Sequence, residues 1–189
     1  MRFDAIVIGA GAAGLFCAIR AGMRGRRVLV VEHNTEPGRK ILISGGGRCN
    51  FTNTGTSSEN FVSENPHFAK SALAGFTPSD FVDLVRFHRI EYHEKKLGQL
   101  FCSGSARHIL EMLLTECSRA GVEIRTRCAV GDVEKRGDKF IVSSSCGDFE
   151  TGSLVVATGG LSFPKVGATD FGYRLARRFG LRIVNTRPA

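Results

Sequence analysis

Six residues, Gly9-Ala10-Gly11-Ala12-Ala13-Gly14, follow directly on the apolar run Phe3–Ile8 and open a stretch of helical periodicity, Ala12–Met23. A G-x-G-x-x-G pattern is weak alone and gains force when a strand precedes it and a helix begins within it. Each glycine then has its own task. Gly9 permits a tight turn, Gly11 lets backbone approach a pyrophosphate, and Gly14 lets helix and strand pack closely. The helix start contributes free N–H groups and the positive end of a dipole. Gly9, Gly11, Ala13 and Gly14 are therefore candidate dinucleotide-binding residues.

A second buried strand is expected over Arg27–Glu32, around Val28-Leu29-Val30-Val31, and Glu32 ends it 18 residues after Gly14. A carboxylate there accepts hydrogen bonds from both ribose hydroxyls and repels a 2′-phosphate, which points to FAD or NAD rather than NADP. Further along, Thr77-Pro78-Ser79-Asp80 reads as a capping box opening a helix to about His88. A second amphipathic helix is expected over Ser105–Ala120, with Ile109, Met112, Leu113 and Cys117 at core spacing. Val122–Arg125 reads as a short parallel strand. Ala129–Lys135 and Lys139–Ser144 read as antiparallel strands joined around Gly137-Asp138, Leu154–Ala157 as an apolar strand, and Gly172–Phe179 as a helix. Alternating strands and helices with one antiparallel meander define an α/β fold.

Pro37–Thr56 reads as a long glycine-rich loop containing Ser44-Gly45-Gly46-Gly47-Arg48-Cys49-Asn50-Phe51-Thr52-Asn53. It is not a Walker A loop, because no Gly-Lys-Ser/Thr follows the glycines. Adjacent glycines let backbone N–H groups lie against a flat or anionic ligand, and Arg39, Lys40 and Arg48 add positive charge. Lys40, Ser44, Gly46, Gly47, Arg48 and Asn50 are thus candidate cofactor contacts beside Arg39. A third signal is Leu154-Val155-Val156-Ala157-Thr158-Gly159-Gly160, a buried strand that ends in Ala-Thr-Gly. Paired with the N-terminal fingerprint, that ending favours FAD over NAD and nominates Ala157, Thr158 and Gly159.

The glycine-rich run, followed by Ala157-Thr158-Gly159-Gly160-Leu161-Ser162-Phe163-Pro164-Lys165, resembles the bacterial YhiN-type flavoproteins across essentially the whole chain. These are FAD-dependent oxidoreductases labelled aminoacetone-oxidase-like or bile-acid-reductase-like. The resemblance implies a Rossmann-like FAD-binding domain of the two-dinucleotide-binding flavoprotein type. It implies FAD held by Gly9, Gly11, Gly14, Glu32, Arg48 and Asn50, with Thr158 and Gly159 closing over it and Val130 beside the adenine. Asp170, where many relatives carry Gly, is expected to cap the helix that follows. Members of that family are about twice as long, so the chain is expected to be the N-terminal portion of an FAD-binding domain. A β-rich second domain and a returning C-terminal FAD segment would lie beyond Arg187-Pro188-Ala189.

Composition narrows the remaining classes. The chain has 189 residues, 42% hydrophobic and 23% charged, which suits one soluble domain with a sizeable core. No apolar run approaches the roughly 20 residues of a membrane span, and Asp4 with the glycines from Gly9 onward argues against a signal peptide. A cytoplasmic location without membrane contact is expected. Six dispersed cysteines show neither a disulfide framework nor zinc spacing, the five histidines show no metal pairing, and no Gly-x-Ser-x-Gly elbow supports hydrolysis. Cys49 beside Arg48 reads as a packing or cofactor-contact residue rather than a redox thiol. The net charge of +8 invites a nucleic-acid partner. The arginines are scattered along the chain without interleaved aromatics, so a small-molecule substrate and no nucleic acid are expected. The function that follows is flavin-dependent hydride transfer, with FAD as cofactor and NAD(P)H as a candidate donor. An NAD-dependent dehydrogenase and a non-catalytic nucleotide-binding remnant stand as alternatives. No catalytic residue, substrate or oligomeric state is indicated.

Overall fold

A computed structural model describes residues 1–162 and 167–184. The motif residues Phe163, Pro164 and Lys165, and the terminal Arg187-Pro188-Ala189, lie outside the described residues. The chain divides into two compact units, Met1–Arg39 with Leu113–Ala189, and Lys40–Met112.

The first unit is built on a six-stranded sheet. Its strands are β1 (Arg2–Ile8), β2 (Val28–Val31), β6 (Glu123–Arg125), β7 (Val130–Arg136), β8 (Lys139–Ser144) and β9 (Gly147–Val156), in the order β6-β2-β1-β9-β8-β7. β1 pairs in parallel with β2, in register Ile8↔Val31, and with β9, in register Ile8↔Val156. β7 and β8 run antiparallel to their neighbours, as the meander in the sequence implies. All four residues of β2 are buried, as a central parallel strand with both faces covered requires. Phe3, Ile6, Ile8, Leu29, Val31, Val133, Val142 and Phe149 make one side of this core. On helix α1 (Ala12–Gly22), Gly14, Leu15, Ala18 and Ile19 are buried, and Cys117 Sγ of α5 (Ala106–Arg119) stands 3.8 Å from the Leu15 carbonyl.

Two expectations shift here. β9 is ten residues long rather than four, because its first half pairs with β8 although Gly152 and Ser153 interrupt its apolar pattern. Asp170 precedes helix α6 (Phe171–Arg178) but accepts no capping hydrogen bond. Its backbone is turned to φ −82°, ψ 7°, and its carboxylate pairs with Arg174 Nε at 3.0 Å. A capping residue needs extended backbone to aim its side chain at the first N–H groups.

The second unit holds a three-stranded antiparallel sheet, β3 (Asn50–Asn53), β5 (Gln99–Cys102) and β4 (Tyr92–Glu94) in that order, with helices α2 (Arg39–Ile43), α3 (Lys70–Gly75) and α4 (Pro78–Phe87). The region expected as one loop, 37–56, is instead α2, a 3₁₀ turn over Ser44–Gly47, and β3. Five helical and four strand residues are too few to show a period, so sequence pattern alone left them as loop. The capping box is present as expected. Thr77 Oγ1 accepts from Asp80 N at 3.2 Å, and Asp80 Oδ2 accepts from Thr77 N at 2.7 Å. Phe51 packs on Phe81 and Tyr92, with ring centres 5.9 and 5.7 Å apart.

Candidate functional site

In the first unit, the carboxyl ends of β1, β2, β6 and β9 come together beside the start of α1, the place where ligands bind in open α/β sheets. Gly9 follows β1 with φ +107°, and its N–H donates to the Val31 carbonyl at 2.8 Å. Gly11 is the N-cap of α1 without side-chain capping, and Leu15 N is already bonded to Gly11 O at 2.9 Å. The N–H groups of Ala12, Ala13 and Gly14 therefore lie in the unpaired first turn, and no acidic residue of that turn competes for them.

The three glycines separate by what surrounds them. A β-carbon on Gly9 would stand 2.6 Å from the Ala157 carbonyl oxygen, and one on Gly14 would stand 1.9 Å from the Gly9 carbonyl oxygen. Both are therefore required by the protein itself. A β-carbon on Gly11 would meet nothing within 4 Å, and its φ of −81° is open to any residue. Its bare backbone faces the space where the fingerprint requires a pyrophosphate, so the residues present fit a dinucleotide.

Glu32 is buried, 7% exposed, at the end of β2. Its Oε2 accepts from Ala10 N at 2.9 Å, while Oε1 accepts from Asn34 N at 2.9 Å and Asn34 Nδ2 at 2.8 Å. His33 Nδ1 stands 3.2 Å from Oε1. With two acceptor positions per oxygen, this arrangement leaves one, on Oε2, for a ribose hydroxyl rather than the two that the sequence suggests. The carboxylate also serves as a clamp joining the fingerprint loop to the residues after β2. Arg39 Nη1 extends the clamp by donating to Asn34 Oδ1 at 2.9 Å. Ala10 and Asn34 escaped the sequence reading; an Asn two residues past the acidic strand end was the available signal.

Cys128 N donates to the Glu32 carbonyl at 2.8 Å, bringing the segment before Val130 to the end of β2. Val130 opens β7 and packs, half-buried, against the core. On the other side Ala157 N donates to the Ile8 carbonyl at 2.8 Å, and Thr158 Cα would lie 3.2 Å from a β-carbon on Gly9. Gly159 adopts φ +76°. Gly9, Gly11, Ala13, Gly14, Glu32 and Ala157–Gly159 thus meet at the carboxyl end of the parallel strands of one unit, with Arg39 tied to them through Asn34. Val130 belongs to the same unit but pairs with Ser144, level with the start of β9, and reaches this end only through the Cys128–Glu32 hydrogen bond.

Lys40, Ser44, Gly46, Gly47, Arg48 and Asn50 belong to the second unit. Gly45, Gly46 and Gly47 take φ of +57°, +68° and +83°, a run of left-handed backbone that only glycine adopts readily. Cys49 follows with φ +50°, and its N–H donates to the Ser44 carbonyl at 3.0 Å. With its amide turned so that the nitrogen faces them, Asn50 donates to the carbonyls of Thr52 at 3.1 Å and Leu100 at 3.2 Å, an orientation in which this side chain also braces the sheet. Burial raises the Cys49 thiol above its usual range, against the opposing effect of a Ser44 hydrogen bond, which keeps it protonated at neutral pH. Gly45, Gly46 and Arg48 also border a shallow depression of about 360 Å³ with His93, Lys95 and Phe101.

Fold and site together define a Rossmann-type, FAD-binding flavoprotein domain. Residues 3–187 match the family model described as the HI0933-like protein Rossmann domain, and the chain belongs to that family. It is 53% identical over 98% of its length to a ribosomal RNA dihydrouridine synthase of Escherichia coli, and 48% identical over 96% to one of Haemophilus influenzae. A 3-dehydro-bile acid delta(4,6)-reductase of Clostridium scindens is 29% identical over 97%. The chain spans 46%, 46% and 45% of these relatives, respectively. Glycine oxidase from Geobacillus kaustophilus shares the fold at a TM-score of 0.54 and 17% identity, over 96% of this chain and 59% of that one. The expectation of no nucleic-acid partner is overturned by the names of the two RNA-modifying relatives. It rested on cations scattered along the sequence, and that scatter does not report how they cluster in space. Among the described residues no helix is long and apolar enough to cross a membrane.

Proposed function

We propose that this chain is the FAD-binding part of an enzyme that reduces a uridine of ribosomal RNA to dihydrouridine. The observation that carries this reading is the 53% identity, over 98% of the chain, to a protein of that name. The reaction adds a hydride and a proton across the C5=C6 bond of uracil. FAD, when bound in its reduced form, supplies the hydride, and NAD(P)H is the donor class that would restore it. Gly9, Gly11, Ala13 and Gly14 take the pyrophosphate on the start of α1, Glu32 takes a ribose hydroxyl, and Val130 borders the adenine. Ala157, Thr158 and Gly159 support the cofactor from the sheet. Arg39, Lys40, Ser44, Gly46, Gly47, Arg48 and Asn50 are assigned to the same cofactor.

A second reading, reduction of a small unsaturated ketone, is favoured by the 29% identity to the bile-acid reductase. Both substrates present a carbon–carbon double bond conjugated to a carbonyl. The test supplies the intact protein containing this chain with NADPH and either unmodified ribosomal RNA or a 3-dehydro-bile acid. Nucleosides from the digested RNA are then measured by mass spectrometry. Dihydrouridine at a defined position is expected. Flavin that is bound and reduced, with no dihydrouridine formed, would overturn the RNA reading, and turnover of the steroid alone would establish the second.

A further inference from the structure

Besides Gly45, the depression in the second unit adjoins two residues assigned above to the cofactor, Gly46 and Arg48, and three side chains with no assigned role, His93, Lys95 and Phe101. Phe101 is 8% exposed and forms the floor. The His93 ring lies nearly parallel to it, 22° between planes at 6.3 Å, with Nδ1 3.4 Å from Ser103 Oγ. That contact engages Nδ1 and not Nε2. The Lys95 ammonium stands 5.3 Å from the centre of the Phe101 ring. Among the described residues no carboxylate pairs with Arg48 or Lys95. The unit as a whole has eight Lys and Arg against seven Asp and Glu, and two of its cations, Arg48 and Lys95, border this depression. The wall at Gly46 is bare backbone, since a β-carbon there would meet nothing within 4 Å.

A volume of about 360 Å³ is at the small end for ligand sites. It suits one nucleotide rather than a duplex groove. Enzymes that act on a base in RNA or DNA take that nucleotide out of the stack and hold it between apolar and aromatic groups. We propose that this depression seats a single nucleotide of the RNA substrate, with Lys95 and His93 holding its phosphate over Phe101. This rests on the RNA reading above. It assigns Lys95 and His93 as substrate-binding residues next to the flavin-contacting glycines.

The test uses Lys95→Ala, His93→Ala and Lys95→Arg variants of the intact protein containing this chain. Both side chains are exposed, so the fold is not at risk. Binding of a labelled single-stranded, uridine-containing RNA is followed by fluorescence anisotropy across a salt series, alongside retained flavin. Lys95→Ala is expected to weaken binding roughly five-fold and to lower the salt slope by about one, with Lys95→Arg restoring it and flavin content unchanged. In parallel, uridine 5′-monophosphate is expected to shift the His93 ring signals in NMR spectra. Tight RNA binding by the wild-type intact protein that neither alanine variant disturbs would overturn the assignment and leave the RNA reading standing. Loss of flavin with RNA binding intact would place the depression in the cofactor site. No RNA binding by the wild-type intact protein would overturn the substrate reading and this assignment with it.

Discussion

The carbonyl oxygen of Gly9 lies 1.9 Å from the point a β-carbon would occupy on Gly14. The turn after β1 and the first turn of α1 are therefore in direct backbone contact, and no side chain fits between them. Gly14→Ala must push α1 away from the sheet, at a cost of about 3 kcal/mol, the upper end for overpacking. Gly11→Ala meets no protein atom within 4 Å. It should leave the melting temperature nearly unchanged while reducing flavin retention. Thermal melts paired with flavin absorbance separate the two roles. Equal melting losses for both variants would mean that Gly11 is structural.

Glu32→Gln keeps the shape of the side chain and removes its charge. An amide presents one N–H pair where the carboxylate accepted only, and it now faces Ala10 N or the two Asn34 donors. A buried donor without a partner costs about 1–3 kcal/mol. Lower thermal stability and a flavin dissociation constant at least roughly ten-fold weaker are expected from losing a charge-assisted contact. Isothermal titration with FAD and a denaturant melt check both. Unchanged affinity with a lowered melt would show that the carboxylate acts only as a clamp.

The glycine run contains its own control. A β-carbon on Gly45 would meet Phe101 Cε1 at 2.7 Å and Asn50 N at 2.9 Å, whereas one on Gly46 meets nothing and one on Gly47 only the Leu42 carbonyl at 3.9 Å. Gly45→Ala should unfold the second unit locally. Gly46→Ala and Gly47→Ala carry only the strain of positive φ, about 1–2 kcal/mol. Replacing either by Val adds bulk on the open side and is expected to deplete flavin while circular dichroism stays native. Full flavin occupancy in Gly46→Val and Gly47→Val would remove the loop from the cofactor site.

Burial pushes the thiols of Cys102 and Cys117 up to about 11, from an ordinary value of 9.0; the neighbouring Cys49 adds to the first and Glu116 to the second. Between those values the unfolded thiols ionise before the folded ones. Their contribution to stability is therefore complete below pH 9 and is lost as pH rises toward 11. Denaturant midpoints should fall across this window, and Cys102→Ser with Cys117→Ser should flatten the fall. At neutral pH a thiol reagent should modify exposed Cys146 first and leave Cys102 and Cys117 untouched until the protein unfolds. Early labelling of Cys102 would contradict the burial.

Much of the first unit was legible in the chain because its signals are local. Ile6-Val7-Ile8 before Gly9, and the four buried residues of β2, are continuous apolar runs that a sheet with covered faces imposes. In the second unit the same holds for Thr77 and Asp80, which form their capping box from groups three residues apart. What stayed hidden depends on partners far away. Tyr92–Glu94 and Gln99–Cys102 are too short to announce themselves and are held by pairing with each other and with Asn50–Asn53. The boundary at Met112 falls in the middle of the continuous helix α5, where no linker composition marks it.

The same division holds for the candidate site. Spacing within the sequence determined the fingerprint, the acidic residue 18 positions on, and the glycine run, because each is a constraint on one stretch of backbone. Tertiary structure decided which glycine the protein itself needs and which one is left for a ligand. It decided that Glu32 carries Ala10 and Asn34 besides any ribose, and that His93 and Lys95 stand with Arg48 around Phe101. The reason is range. Local propensity and turn geometry act over a few residues, whereas a carboxylate's spare acceptor position or a cluster of cations exists only once distant segments have packed.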